Sequence, residues 1–339
     1  MHYYQQFIRI FFLVPFLLIT LLGGYVYLFY ARPQSLLLMH LYHQHKTAYA
    51  QSIKQPKILF TSGSNTLYGI NTLEIEEALH IPTVNLAVNA GLNHDYIFHK
   101  AKEVLKAGDI IIVVSEYQHL RWDGELSRTK NEYILSYDRA YFDRLPLLEK
   151  IKIINTVSLK DIFLSISEQY HFDKSAYQEG LETTQKSLNS HGDKVDKTGH
   201  KPLEIDRTGL GLPLEKKYTF ETQGLHELIA FNQWCQAHHV TLYLTFPNTV
   251  EFEVYHSKHY TTYFNQLLAF YQKNHLRYLG EPQAFFYPKR YFYDTNYHLN
   301  TQGASLRTQQ LIEMMRTQIR ELDQFASPPN PNFIQKSVK

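Results

Sequence analysis

The sequence predicts an α/β protein: a three-layer α/β/α fold around a parallel sheet of about five strands, preceded by one N-terminal transmembrane helix. Three observations predict it. Residues 10–30 carry no charge, and 21 such residues in a helix cross a hydrocarbon core of about 30 Å. From residue 57 onward, short apolar runs alternate with amphipathic helical patterns, which argues for parallel strands covered on both faces. A hydrophobic share of 44% over 339 residues is ample for the core of one large domain.

In chain order, residues 1–9 form a short tail, 10–30 the anchor and 31–54 a connector. Pro15 is tolerated near one end of the span, and Tyr25, Tyr27 and Tyr30 suit an aromatic belt at the other. The competing reading is a cleaved secretory signal. The run is long for one, and Gly23-Gly24-Tyr25 and Tyr30-Ala31-Arg32 are poor cleavage sites. Arg9 precedes the span while Arg32 and Lys46 follow it, so charge does not orient it. The simplest topology leaves the nine-residue tail inside and exports the rest. The apolar patch at 36–41 is either a short helix near the bilayer or a helix packed on the soluble domain.

The α/β domain is expected over 55–324. Its strands are placed at 57–62, 83–87, 109–115, 241–246 and, briefly, 277–279. Helical stripes follow at Ile97, Ala101, Val104 and Leu105, and at Tyr260, Tyr263, Phe264, Leu267 and Tyr271. The last helix is predicted over 301–322, with Leu311, Met315, Ile319 and Leu322 inward and Asn300 or Thr301 as its cap. At about 116–218 the alternation stops, marking an insertion with helices near 143–154 and 157–170. The tract 189–217 is rich in glycine and charge and reads as a loop or mobile lid, with His191 and His200 as solvated residues. Residues 325–339 read as a disordered tail.

Composition narrows the function. A formal net charge of +2 gives no reason to invoke nucleic acid. The single cysteine, Cys235, permits neither a zinc-type cysteine cluster nor an internal disulfide; its place beside Leu225, Leu228 and Ile229 suits a packing role, with an exposed reactive thiol as the alternative. No cofactor or metal is expected.

The stretch most suggestive of chemistry is KILFTSGSN at 57–65. A strand breaks at Ser62-Gly63 and delivers Ser64 to the start of a helix, where free N–H groups stabilise developing negative charge. Two readings stand: Ser64 is a nucleophile, or Ser64 or Asn65 simply caps the helix. Far downstream, Asp294 precedes His298 by four residues, just ahead of the last helix. An imidazole is the natural base for a serine, and a nearby carboxylate fixes its tautomer. One such pair among 18 histidines means little alone.

Together these residues resemble the SGNH or GDSL hydrolase superfamily, in its membrane-anchored branch of bacterial cell-envelope acyltransferases and esterases. Ser64 matches the block-one serine, with Ser62-Gly63 ahead of it where the family has Gly-Asp. Gly91, in NLAVNAGL, matches the second-block glycine. His298 matches the last-block histidine and Asp294 its acid, with three intervening residues where the family has two. After the strand DIIIVV stands Ser115-Glu116-Tyr117 in place of the usual Gly-x-Asn. The matching stretches are about 55–115 and 220–322.

The resemblance implies a flavodoxin-like fold, a Ser64–His298–Asp294 triad and an oxyanion held by the Gly91 N–H. Asn65, Asn89 and Glu116 join Gly91 as candidate oxyanion or substrate contacts. Asn89 is either the missing amide donor or a turn former, and Glu116 either orients Tyr117 or a substrate hydroxyl or makes a structural cap or ion pair. Two functions remain open. One is a serine esterase or O-acyltransferase acting on an acylated envelope glycan or related ester. The other is a non-catalytic module that binds polysaccharide or envelope-assembly proteins. The expected location is the bacterial inner, cytoplasmic membrane, single-pass, with the large domain outside the cytoplasm.

Overall fold

The computed structural model describes residues 2–114, 116–197 and 219–322. His200, most of the predicted 189–217 lid and the 325–339 tail lie outside them. The elements run α1 (His2–Phe29), α2 (Leu37–Ser52), β1 (Ile58–Thr61), α3 (Ser64–Gly69), α4 (Thr72–Leu79), β2 (Thr83–Asn85), α5 (Asn93–Lys102), β3 (Ile110–Val114) and α6 (Tyr117–Leu120). They continue as α7 (Arg128–Tyr137), α8 (Arg139–Arg144), α9 (Leu147–Ile154), α10 (Leu159–His171), α11 (Lys174–Ser187), α12 (Gln223–Ala237), β4 (Thr241–Thr245), β5 (Thr249–Val250), α13 (Lys258–Lys273), β6 (Phe286–Tyr287) and α14 (Thr301–Gln318). Two compact units divide the chain. One holds residues 1–41 and 126–183, the other 42–125 and the described residues from 184 onward.

The second unit carries a four-stranded sheet in the order β2-β1-β3-β4, parallel throughout. Every residue of β1, β2 and β3 is buried, which is why Ile58–Phe60 and Ile110–Val114 read as unbroken apolar runs rather than alternating ones, while Thr83 and Asn85 of β2 are buried polar residues. The fifth strand expected at 277–279 shrinks to one parallel bridge, Leu244 to Tyr278. Gly280, at φ +69, turns the chain at once, and Pro282 follows. That bridge lies beyond β4, so the order extends the flavodoxin-like 2-1-3-4-5 pattern, whose direction reverses between β1 and β3. Phe286–Tyr287 pairs with Thr249–Val250 in a separate two-stranded parallel sheet.

At the opposite end of the sheet a buried ion pair joins the starts of β1 and β3. Lys57 Nζ lies 2.6 Å from Asp109 Oδ2, and the Lys57 and Lys106 N–H groups donate to the same carboxylate. Around the sheet, α13 buries Tyr260, Tyr263, Phe264, Leu267 and Tyr271, the predicted stripe. Helix α12 buries Cys235, whose thiol is pushed up to about 12 by burial and is therefore inert. Asn300 caps α14, its side chain accepting the Gly303 N–H at 3.0 Å.

The described part of the predicted tract, residues 189–197, is a loop as expected, with Ser190, Val195 and Asp196 exposed, but it folds onto α4 and β2, so the solvated reading of His191 is corrected. Gly192 turns at φ +90, and a Cβ on it would meet Asn85 O at 2.5 Å. The Asp193 carboxylate accepts from Thr72 N and Oγ1, Asn85 Nδ2 and Asn189 Nδ2. His191 is buried, its Nε2 3.1 Å from Glu76 Oε2. A tract that reads as polar because water would satisfy it is polar here because its groups satisfy one another. Lys46 is also fully buried, donating to Ala87 O at 2.5 Å.

In the first unit, α1 is long and apolar enough to cross a membrane. The single helix expected at 143–154 is broken by Pro146 into α8 and α9, and α10 opens with a Ser158–Asp161 capping box. The 36–41 patch falls at the start of α2. Leu37 and Leu41 are buried there and close on Gly180 of α11, so the patch is packed in protein.

Candidate active site

Beyond the carboxyl ends of β1 and β3, where ligands bind in such sheets, the chain turns into α3 and α6. Gly63 is the N-cap of α3 and Ser64 its first residue. Gly63 has ordinary extended backbone, and space demands its glycine. A Cβ there would meet Glu116 Oε1 at 2.4 Å and Ala90 Cα at 2.5 Å. The half-buried Ser64 has neither its hydroxyl nor its N–H bonded among the described residues. The N–H is one of the orphan donors of a helix N-terminus.

Glu116 supplies what a capping side chain would. It is 4% exposed, its Oε1 accepts the Asn65 N–H at 3.1 Å, and its Oε2 accepts from Gln118 Nε2 at 3.1 Å. Of the two sequence readings of Glu116, the cap is the one built here. A carboxylate therefore occupies the positive end of α3.

Asn65 is not available to a substrate, which corrects its place among the candidate contacts. It is fully buried, donates to Asn248 O at 2.8 Å and Tyr297 O at 3.2 Å, and accepts from Asn248 N and Arg307 Nη1. Every polar atom of its amide is committed to bolting α3 to the loop after β4 and the loop before α14. Gly91 and Asn89 are likewise turned on each other. The Gly91 N–H donates to Asn89 Oδ1 at 2.8 Å, making Asn89 the cap of the short 3-10 turn at Ala90–Leu92. The N–H expected to face an oxyanion is spent inside its own loop in this structure.

His298 and Asp294 come together despite the extra residue between them, with His298 Nδ1 2.7 Å from Asp294 Oδ1. Thr295 Oγ1 accepts the His298 N–H at 3.1 Å and fixes the turn. With Nδ1 engaged, Nε2 is the nitrogen left to handle a proton. The imidazole lies flat on Tyr68, centroids 4.1 Å apart and planes 7° from parallel. Tyr68 stands four residues after Ser64 on α3, the spacing that puts two side chains on one helix face. The ring is thus held beside the face that Ser64 begins, although no Ser64–His298 hydrogen bond is made among the described residues.

Sequence reasoning missed three residues that build this arrangement. Tyr68 is held by Lys197, whose Nζ donates to its carbonyl at 2.6 Å, and burial pushes its phenol up to about 12, so it stays neutral. Arg307 is wholly buried and donates to Asn65, Asn248 and Phe246 O. Burial pulls its guanidinium down to about 10. Asn248 closes the triangle, its Nδ2 donating to Tyr297 O at 2.9 Å. One signal was legible: Arg307 sits on the inward stripe of α14 between Ala304 and Leu311, where a lone arginine needs buried acceptors.

Neither a family model nor a curated protein matches this chain. Among solved structures it overlaps an inferred acylhydrolase from Bacteroides fragilis, at 8% identity and a TM-score of 0.38, covering 84% of this chain and 97% of the other. It also overlaps a protein from Streptococcus pneumonia described as an inferred platelet activating factor, at 13% identity and a TM-score of 0.36, covering 80% and 91%. Overlaps this loose carry no argument about function.

Proposed function

We propose that this chain is a membrane-anchored serine esterase or O-acyltransferase, with Ser64 as nucleophile, His298 as base and Asp294 as the acid that orients it. The observation that carries the reading is the Asp294–His298 pair at 2.7 Å, stacked on the helix that Ser64 begins. In the reaction, His298 Nε2 takes the Ser64 hydroxyl proton as Oγ attacks an acyl carbonyl, and the tetrahedral oxyanion forms near the Ser64 N–H. Collapse breaks the ester bond, and His298 returns the proton to the leaving alcohol. Water or a sugar hydroxyl then takes the acyl group by the same steps. The nucleophile–base bond must form with substrate, since in substrate-free enzymes it is often loose.

The substrate class proposed is an acylated cell-envelope glycan or related ester, reached from the bacterial inner membrane with the large domain outside the cytoplasm. Membrane lipid and envelope-assembly proteins are its proposed neighbours. Hydrolysis of a chromogenic acetyl ester tests the triad. Ser64→Ala and His298→Ala should each abolish it, and the double variant should be no worse, because residues acting as a unit are not additive. Asp294→Asn should lower turnover while leaving the fold intact. Full activity in Ser64→Ala would remove the proposal.

A second reading has its own observation. The buried Glu116 carboxylate at the start of α3, and the Gly91 N–H spent on Asn89, leave an oxyanion few donors and a like charge nearby. That favours a non-catalytic module of the same fold that binds polysaccharide or assembly partners. Labelling of Ser64 by a serine-directed fluorophosphonate separates the two.

A further inference from the structure

The first unit exposes more apolar surface than its membrane-crossing helix requires. On α10, Leu159, Phe163, Ile166 and Tyr170 recur at spacings of four, three and four, which is one face of a helix. That face points outward: Phe163 is 71% and Tyr170 84% exposed, while Asp161, Ile162 and Ser165 are buried on another face. Helix α9 repeats the arrangement, with Leu147 74% and Leu148 65% exposed, Ile151 outward beside them and Ile153 buried. Monomeric proteins rarely leave contiguous patches of this kind to water.

The position of α10 says what covers them. Tyr25 Oη lies 3.3 Å from Ser165 Oγ, Gln169 Nε2 donates to Phe29 O at 3.1 Å, the Ala31 N–H donates to Ser165 Oγ at 3.1 Å, and Arg32 pairs with Glu168 at 2.6 Å. All four contacts engage the C-terminal end of α1 and the residues just after it. Before Tyr25, residues 3–21 are exposed along their whole length. At a rise of about 1.5 Å per residue, the uncharged residues 10–30 span about 30 Å, the thickness of the hydrocarbon core, and end just ahead of Ala31 and Arg32. The bilayer boundary therefore falls at the level where α10 packs. Lys150, Lys152 and Lys160 flank the apolar positions, the mixture found in helices that lie in the lipid–water interface.

We propose that the outward faces of α9 and α10 lie in the lipid–water interface beside the end of α1, so that the first unit is an in-plane platform as well as a span. This rests on reading α1 as membrane-spanning. A second copy of the chain, or a protein partner, is the competing occupant.

Nitroxide labels on single introduced cysteines of the full chain test it, in vesicles of phosphatidylcholine and phosphatidylglycerol. The native Cys235 is buried and stays unlabelled. Phe163→Cys and Ile166→Cys report α10, Ile19→Cys reports the span, and Lys258→Cys reports water. The expected result is that labels at 163 and 166 collide more with oxygen than with a nickel chelate, at a depth shallower than residue 19, while 258 favours nickel. If 163 and 166 behave like 258 while 19 is in hydrocarbon, the platform is overturned and the span stands. Labels at 163 and 166 shielded from both reagents mean that protein covers the face, which also overturns it. A water-like residue 19 would remove the span itself and the platform with it.

Discussion

Tyr68 lies flat against His298, ring centroids 4.1 Å apart, so the imidazole is held by a stacked ring on one side and by Asp294 at its Nδ1. A base that must meet a serine hydroxyl within hydrogen-bond reach needs its plane fixed. Tyr68→Phe keeps the stack, and ester hydrolysis should be unchanged. Tyr68→Ala frees the ring, and kcat should fall on the order of ten- to a hundredfold with KM little altered, as misplaced catalytic groups do. Equal activity in all three proteins would show that the stack positions nothing.

Glu116 should matter to the fold through one acceptor atom. Glu116→Gln keeps an oxygen for the Asn65 N–H, while Glu116→Ala strands a buried donor at a cost of roughly 1–3 kcal/mol. Denaturant unfolding measures both. An alanine variant as stable as the glutamine variant would contradict the capping role. If the site forms an oxyanion, the glutamine variant should also turn over faster, since a neighbouring negative charge is removed.

Lys46 makes stability depend on pH. Burial, opposed by Asp193 and reinforced by Lys194 and Lys197, pulls its ammonium from 10.5 down to about 7. Between these values the unfolded chain carries a proton that the folded chain does not, so stability rises with pH. The contribution approaches about 1.4 kcal/mol per pH unit above the folded value and is lost as pH falls through about 7. Unfolding measured from pH 7 to 9 should show this slope, and Lys46→Met should flatten it. An unchanged slope in the variant would place the lysine in water.

Much of the fold was legible because burial on both faces leaves its mark on composition. Ile58–Phe60 and Ile110–Val114 are apolar throughout, and the α13 stripe keeps helical spacing. The fifth strand is shorter than the sequence suggests, since the triplet Arg277-Tyr278-Leu279 says nothing of the Gly280 turn that ends it. The burial of His191 and Asp193 in the 189–197 loop is not legible for a physical reason: buried polar networks and solvated loops have the same composition, and only the partners tell them apart. In the site, the Asp294 and His298 pairing needed one local turn and was within reach of the sequence. The bolt of Asn65, Asn248 and Arg307 joins residues more than 240 positions apart, and no local pattern encodes it. Gly91 and Asn89 were assigned by position in a motif, which cannot say whether an N–H points at a substrate or at the neighbouring side chain.

The most direct test of the central claim is mapping the adduct of a serine-directed fluorophosphonate on the full-length protein by mass spectrometry. Ser64 should be the modified residue, at a rate that falls in His298→Ala and with no labelling in Ser64→Ala. An unmodified Ser64 in the folded wild-type protein, or labelling that persists in Ser64→Ala, would contradict the account and leave the non-catalytic reading in its place.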